Sequence, residues 1–364
     1  MLLLASSQPL RRVILPGLFV ALLFITLWNR EPPDSDGEAS LIALSGQTMG
    51  TTFSVKVRAQ PSNDASELIS QAILKELTDV VSAMSTYEQA SELSLWNRSK
   101  TTVSIGISQP LAAVVGAGLL VSEASGGAFD MTVQPLVDLW GFGPNRRTEA
   151  PTDSEVQAAL DNVGAGMVTL DQANLTLTKT KPGVWLDLSA IAKGYAVDRV
   201  SERLSELGHT AHFVEIGGEV RTRGMKTDDL PWRIGLESPK ANGSVRLSLP
   251  LTDRAIATSG SYRNFRKYGA KTFSHTLDPR TGRPVSHRLV SVSVVHTSCM
   301  LADAWATALS VLGPQKGLEL AQTLKLAASF VFLDKEDQLT EQQTSDFRSF
   351  VTAAKLPALD AGTE

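Results

Sequence analysis

Asp303 and Thr307 stand four residues apart in the run MLADAWATALSVL (300–312). On a helix that spacing puts both side chains on one face. Both offer oxygen, which a hard cation such as Mg²⁺ prefers and shares readily with substrate phosphates. By spacing alone the pair also reads as an acid near a helix's positive end beside a packed threonine. A second group lies in VWLDLSAIAKGY (184–195), where Asp187 falls at a strand end and Ser189 is placed to cap a helix. Main-chain groups near Ala190 and Ile191 then face whatever sits at the helix start, a position that favours anions, and Lys193 adds positive charge one turn in. A capped amphipathic helix accounts for the same residues. His275 precedes the turn signature Asp-Pro-Arg-Thr-Gly in KTFSHTLDPRTGRPV (271–285). A histidine there can serve as a general base or as a structural hydrogen-bonder. Gly217-Gly218 inside a strand pattern reads as a bulge or a close backbone approach to a ligand. Tyr87, in Met84-Ser85-Thr86-Tyr87, stacks on a planar ligand or fills core.

The elements that must position these groups follow from periodicity. Residues 41–58 read as a strand, with Phe53, Val55 and Val57 alternating with polar residues. Residues 64–84 read as a helix with an apolar stripe of Ile69, Ile73, Leu77 and Val81. A helix starts near Pro110 and runs to about Ala124. The stretch 125–145 reads as a loop with one helical turn, and 153–163 as a helix. Strands are expected at 167–170, 173–178 and Val184–Leu188, the last running into a helix at 189–207. Further strands fall at 211–223, 232–237, 245–250, 254–258, 288–296 and 328–333. Helices fall at 300–312, 314–323 and near 340–350. Strand groups interrupted by helices without regular alternation indicate an α+β fold.

Composition narrows the function classes. Of 364 residues, 34 are basic and 38 acidic, a net charge of −4, with 43% hydrophobic, 27 Gly and 17 Pro. Wholesale disorder, collagen and coiled coil are excluded. The slightly acidic balance argues against a nucleic-acid partner, which needs basic surface. Cys299 is the lone cysteine, so neither an internal disulfide nor a Cys-based zinc cage can form. The histidines, 209, 212, 275, 287 and 296, include no HExxH pair. No GxxxxGK[ST] and no GxGxxG after a strand occurs, so any nucleotide is held by other means.

At the start of the chain, Arg11 and Arg12 precede the uncharged run VILPGLFVALLFITLW (13–28). A positive flank before an apolar run is the arrangement of a signal-anchor or a signal peptide. An uncleaved anchor at 1–30 is expected, with the body outside the cytoplasm, and a cleaved leader is the alternative. The polar PPDSDGE marks a linker at 31–40.

Taken in order, nine segments resemble the ApbE family of FAD:protein FMN transferases. They are QTMGTTF (47–53), MSTY with SELSLWN (84–97), GGAFDMTVQPLVDLWGFGP (126–144), LDLSAIAKGYAVD (186–198), VEIGGEVRTRG (214–224), WRIGLESP (232–239), IATSGSYRNF (256–265), SHTLDPRTGRPV (274–285) and CMLADAWATAL (299–309). Departures from the family pattern stand at Glu215, where Asn is common, at Met131 and Gln134, and at Leu95-Trp96.

The resemblance implies one T-fold-related α+β domain over 41–355, built around a mixed or antiparallel sheet. It implies FAD as substrate and Mg²⁺ as the metal. The pyrophosphate would be cut, AMP released and FMN joined by a phosphoester to Thr or Ser of an acceptor flavoprotein. Acceptors would be membrane subunits of Na⁺-pumping or Rnf-type redox complexes, with the enzyme at the periplasmic side of the inner membrane or soluble in the periplasm. An FAD pyrophosphatase and a flavin carrier without turnover are the rival readings. Carried over by position, Asp303, Thr307 and the Ala190 carbonyl resemble the family's metal ligands. Met49, Tyr87, Ala128, Phe129, Asp130, Asp187, Lys193 and Leu277 fall where the family contacts FAD. His275 matches its histidine near the scissile phosphate and, with Asp303, is expected to be catalytic.

Overall fold

The computed structural model describes residues 40–59, 63–143, 147–239, 244–260, 265–268 and 271–353. The expected anchor, and the linker up to Glu38 and Ala39, lie outside the described residues. Among the described residues no helix is long and apolar enough to cross a membrane.

Eight strands make the central sheet, neighbours in the order of the chain: Ser40–Thr48, Thr51–Ala59, His212–Ile216, Glu219–Arg223, Ala255–Gly260, Leu289–His296, Ala327–Leu333 and Leu339–Gln343. Each neighbouring pair is antiparallel, so of the two expected sheet types the second is found. The helices are α1 (Asn63–Met84), α2 (Glu92–Arg98), α3 (Gln109–Ala124), α4 (Gln134–Leu139), α5 (Asp153–Leu160), α6 (Ala192–Glu206), α7 (Cys299–Thr323) and α8 (Ser345–Ala353). The class is α+β.

Helices α1, α6 and α7 cover one sheet face and bury Val55, Val57, Val214, Ile216, Ala257, Val292 and Val294. The other face takes the hairpin Trp232–Glu237/Val245–Leu251 and α8, closing a smaller core of Val220, Ile234, Leu249, Ile256 and Phe347. The α1 stripe begins as expected with Ile69, Ile73 and Leu77, but it continues through Val80 to Met84, leaving Val81 half-buried. Steps of four drift by about 40° each around a 3.6-residue helix, and a step of three restores the face.

Several boundaries differ from expectation, each for a local reason. The strand expected at 41–58 is a hairpin, turned at Met49 (φ 49°) and Gly50 (φ 72°). The strand expected at 211–223 is also a hairpin, and Gly217-Gly218 is its two-residue turn rather than a bulge. Both glycines have positive φ (62° and 103°), the conformation such turns require. Val184–Leu188 belongs to no strand. Its alternate residues Val184, Leu186 and Leu188 are buried as a strand's would be, but side chains hold its backbone. The Asn97 amide donates to Leu186 O and accepts from Leu186 N, and the buried Lys179 ammonium donates to Val184 O. The helix expected from 189 begins at Ala192, and exposed Ser189 does not cap it. Helix α2 had no counterpart among the expected elements. Near the C-terminus, Leu339–Gln343 is an edge strand, and the helix begins only at Ser345. The Thr344 hydroxyl makes that boundary, donating to Leu326 O and accepting from Ala328 N and Phe347 N. The two helices expected over 300–323 are both present, joined across a break at Gly313.

His212 is fully buried beneath α6, with Nδ1 2.9 Å from His209 O and Nε2 2.8 Å from Ser201 Oγ. A carbonyl only accepts, so Nδ1 carries the proton and Nε2 accepts from Ser201. Burial pushes its pKa from the ordinary 6.5 down to about 4. The unfolded chain therefore binds a proton between those values that the folded chain refuses. Stability is retained above pH 6.5 and falls as pH drops toward 4, by about 3 kcal/mol at most. Urea midpoints measured from pH 7 to 4.5 are expected to fall less steeply in His212→Gln than in the wild type.

Candidate active site

Helices α6 and α7 meet at their N-termini, and that contact builds the site. A Cβ on Gly194 would lie 2.4 Å from Cys299 O, so only glycine allows the approach. Asp198, one turn further along α6, is buried and saturated. Its Oδ1 takes the Arg221 guanidinium (2.6 Å) and Cys299 N, and its Oδ2 takes Ser298 Oγ and Met300 N. It thus satisfies the free N–H groups opening α7, where a carboxylate also suits the helix dipole. Asp303, buried one turn into α7, returns the arrangement by accepting Gly194 N at 3.1 Å. Each helix start is therefore closed by a carboxylate of the other, which explains why α6 needs no capping side chain of its own.

Lys193 lies between two buried acids. Its Nζ is 3.2 Å from Glu219 Oε1 and 3.8 Å from Asp303 Oδ2. Burial pushes both carboxyls up in pKa and the Lys193 ammonium pulls them back. Burial works against the lysine's charge, but Asp303 and Glu219 together hold it protonated.

A cavity of about 600 Å³ opens over this cluster, within the range of small-molecule sites. It brings together His275, Asp303, Thr307, Ala190, Asp187, Lys193, Ala128, Phe129, Asp130 and Leu277, which the sequence scatters over nearly 180 positions. Met49 and Tyr87 are not in its wall. Met49 forms the hairpin turn beside Thr51, whose Cγ2 would lie 2.8 Å from a Cβ on Gly217. Tyr87 is mostly exposed, and partial desolvation of its hydroxyl, followed by the Asp187 and Asp138 charges, raises its pKa. Asp130 has both oxygens engaged. Thr132 N and Oγ1 donate to Oδ1, and Ala165 N donates to Oδ2, so it fixes its own loop. Asp187 accepts from Ser189 N, while its own N–H donates to Met131 O. His275 stands in the turn after strand Lys271–Ser274, with the Phe142 ring edge-on at 6.4 Å.

The structure adds Glu219 to the expected residues. It lies in the cavity wall and is 4% exposed. The signal for it was present: across a two-residue turn Glu219 pairs with Ile216, and paired residues share a face, which here is the buried one. Reading 211–223 as one strand hid that register.

Among the described residues no three His, Cys, Asp or Glu side chains converge as a metal cluster. What the cavity offers a cation is oxygen: the Asp303 carboxylate, the Thr307 hydroxyl one turn on and the Ala190 carbonyl. Glu219 Oε2 is also buried and lacks a hydrogen-bond partner. That sparse set suits Mg²⁺, which keeps waters and takes phosphate oxygens as further ligands, better than a transition metal.

Residues 49–330 match the ApbE family. This chain belongs to that family. The matched span runs from the Met49 turn into the seventh strand and includes every residue placed above. An FAD:protein FMN transferase of Vibrio cholerae serotype O1 is 39% identical over 316 residues, 86% of this chain and 94% of that protein. The Escherichia coli K12 protein of the same name is 32% identical, over 93% and 97%. The solved flavin transferase ApbE from Vibrio cholerae superposes with a TM-score of 0.79 at 38% identity, covering 86% of this chain and 99% of that one. The likeness carries the α+β fold, in which the α6–α7 junction lies against the middle strands of the central sheet.

Proposed function

We propose that this chain is an FAD:protein FMN transferase, acting on FAD and on a Thr or Ser hydroxyl of an acceptor flavoprotein. The observation that carries the reading is the convergence of Asp303, Thr307, Lys193 and His275 on one cavity in an ApbE chain. The acceptor hydroxyl oxygen bonds to the FMN phosphorus. The bond from that phosphorus to the bridging oxygen breaks, and AMP leaves with that oxygen. The hydroxyl proton passes to His275. No covalent enzyme intermediate is needed.

Asp303, Thr307 and the Ala190 carbonyl would hold Mg²⁺, which when bound supplies neutralisation of pyrophosphate charge. Lys193 keeps positive charge in the same wall. Ala128, Phe129 and Leu277 give the flavin ring an apolar surface, and for Met49 and Tyr87, outside that wall, a flavin contact rests on the family resemblance alone. Asp187 orders the Ser189–Ala190 turn beneath the phosphates. The reading extends to location and partners. The apolar run 13–28 supports attachment at the periplasmic face of the inner membrane, and membrane subunits of Na⁺-pumping or Rnf-type complexes as acceptors. Tethering there would raise the effective concentration toward such subunits.

The test uses purified protein, FAD, Mg²⁺ and a Thr-containing acceptor. AMP and a flavin-fluorescent acceptor band are expected in equal amounts, with both lost in EDTA. AMP with free FMN and no labelled acceptor would instead identify a pyrophosphatase. Absence of AMP would identify a carrier.

A further inference from the structure

Two buried carboxylates near the α6–α7 junction are paired with basic side chains, and they differ in one respect. Asp198, paired with Arg221, has both oxygens filled by protein donors. Glu219, paired with Lys193, is as deeply buried, yet its Oε2 has no partner and it stands in the cavity wall. Burying a carboxylate half satisfied is costly, and such groups are found where something other than stability is served.

What Glu219 does follows from its place. Lys193 has two acids within reach and sits nearer Glu219 (3.2 Å) than Asp303 (3.8 Å). With Glu219 charged, the three groups sum to −1 (two carboxylates, one ammonium). Without that charge they sum to zero, and the ammonium's remaining ionic partner is Asp303. A lysine drawn onto Asp303 occupies the carboxylate a cation would use and puts like charge beside it.

We propose that Glu219 is a positioning residue for the cation site: it draws the Lys193 ammonium away from Asp303, leaving that carboxylate able to take Mg²⁺. This rests on Asp303 being the metal-binding acid. In this role Glu219 acts through Lys193 and not as a ligand itself.

The test is calorimetric titration of FAD-free protein with Mg²⁺ alone, so that turnover plays no part. Glu219→Gln is nearly isosteric and is expected to weaken Mg²⁺ binding about tenfold. Glu219→Asp keeps the charge and is expected to bind within about threefold of wild type. In a Lys193→Met background, Glu219→Gln is expected to cost less than about twofold, because the group it acts through is gone. Asp303→Asn is the control. If Asp303→Asn binds Mg²⁺ like wild type, the assignment of the metal-binding acid fails. If Asp303→Asn loses binding while Glu219→Gln does not, only the role of Glu219 fails. A tenfold loss that persists in the Lys193→Met background makes Glu219 a direct ligand and overturns the positioning role. A loss in Glu219→Asp as large as in Glu219→Gln assigns the effect to packing and overturns it equally.

Discussion

Asp303→Asn is expected to lower FMN transfer by about 10³-fold or more and to leave the protein at least as stable as wild type. The two halves of that result have separate causes. For the chemistry, Asp303 is the only carboxylate among the proposed cation ligands. Neutralising charge on a phosphoryl oxygen is worth several kcal/mol, and about 1.4 kcal/mol is tenfold in rate. An amide keeps the size and one acceptor oxygen but loses the charge. For the fold, that acceptor oxygen can still take Gly194 N, the bond that Asp303 Oδ2 makes at 3.1 Å. Lys193 retains Glu219 at 3.2 Å, so no buried charge is stranded. With both acids ionised the cluster carries −1 and the substitution makes it neutral, which removes part of the desolvation cost of burying it.

Asp303→Ala tests the same point less cleanly, since it also strands Gly194 N, at a cost of about 1–3 kcal/mol. Initial rates of AMP release and acceptor labelling, together with melting temperatures in EDTA, check both halves. Transfer within tenfold of wild type would remove Asp303 from the chemistry. A large fall in melting temperature would show that its charge serves the fold, and the rate loss would then say nothing about a metal.

The part of this site that sequence could show is the part built from spacing along one element. Asp303 and Thr307 share a face because a helix repeats every 3.6 residues, and the helix is there. The run LDLSAIAKGYAVD does lead into a helix, and its Lys193 and Asp198 do face the junction with α7. What stayed hidden depends on partners distant in the chain. Val184–Leu188 alternates like a strand, and nothing local reveals that Asn97 and Lys179 replace a neighbouring strand. Asp198 belonged to a recognised segment, but its work is to receive the start of a helix about 100 residues on. Ser189 looked like a cap because the type is right, whereas α6 starts three residues later and takes its acceptor from Asp303. The two hairpin turns are the features least visible in residue type. A Met at φ 49° is uncommon outside such turns, and no residue-type rule points to it. Missing the Gly217-Gly218 turn concealed the face on which Glu219 lies.

His275→Ala is expected to reduce the transfer rate by about 10²–10⁴-fold, the usual worth of a general base, while FAD binding changes by less than about threefold. Binding should hold because the cavity wall is mostly built from other elements: the α6 and α7 starts, the 128–130 loop and the Glu219–Arg223 strand. His275 enters that wall from the turn after strand Lys271–Ser274, separate from the acid–lysine cluster. The Phe142 ring stands edge-on to it, a contact whose loss costs packing at the rim and not in the core. A base must be neutral to accept the acceptor's proton, so a base mechanism gives the wild-type rate an acid limb. In His275→Ala that acid limb should flatten, because the residual reaction no longer waits on the imidazole. FAD titration under single-turnover conditions, followed by the pH dependence of acceptor labelling, separates the two effects. If FAD affinity collapses while the acid limb stays, His275 holds substrate and some other group takes the proton. If both are unchanged and the rate persists, the hydroxyl attacks without a protein base, and the pull on the departing AMP carries the reaction alone.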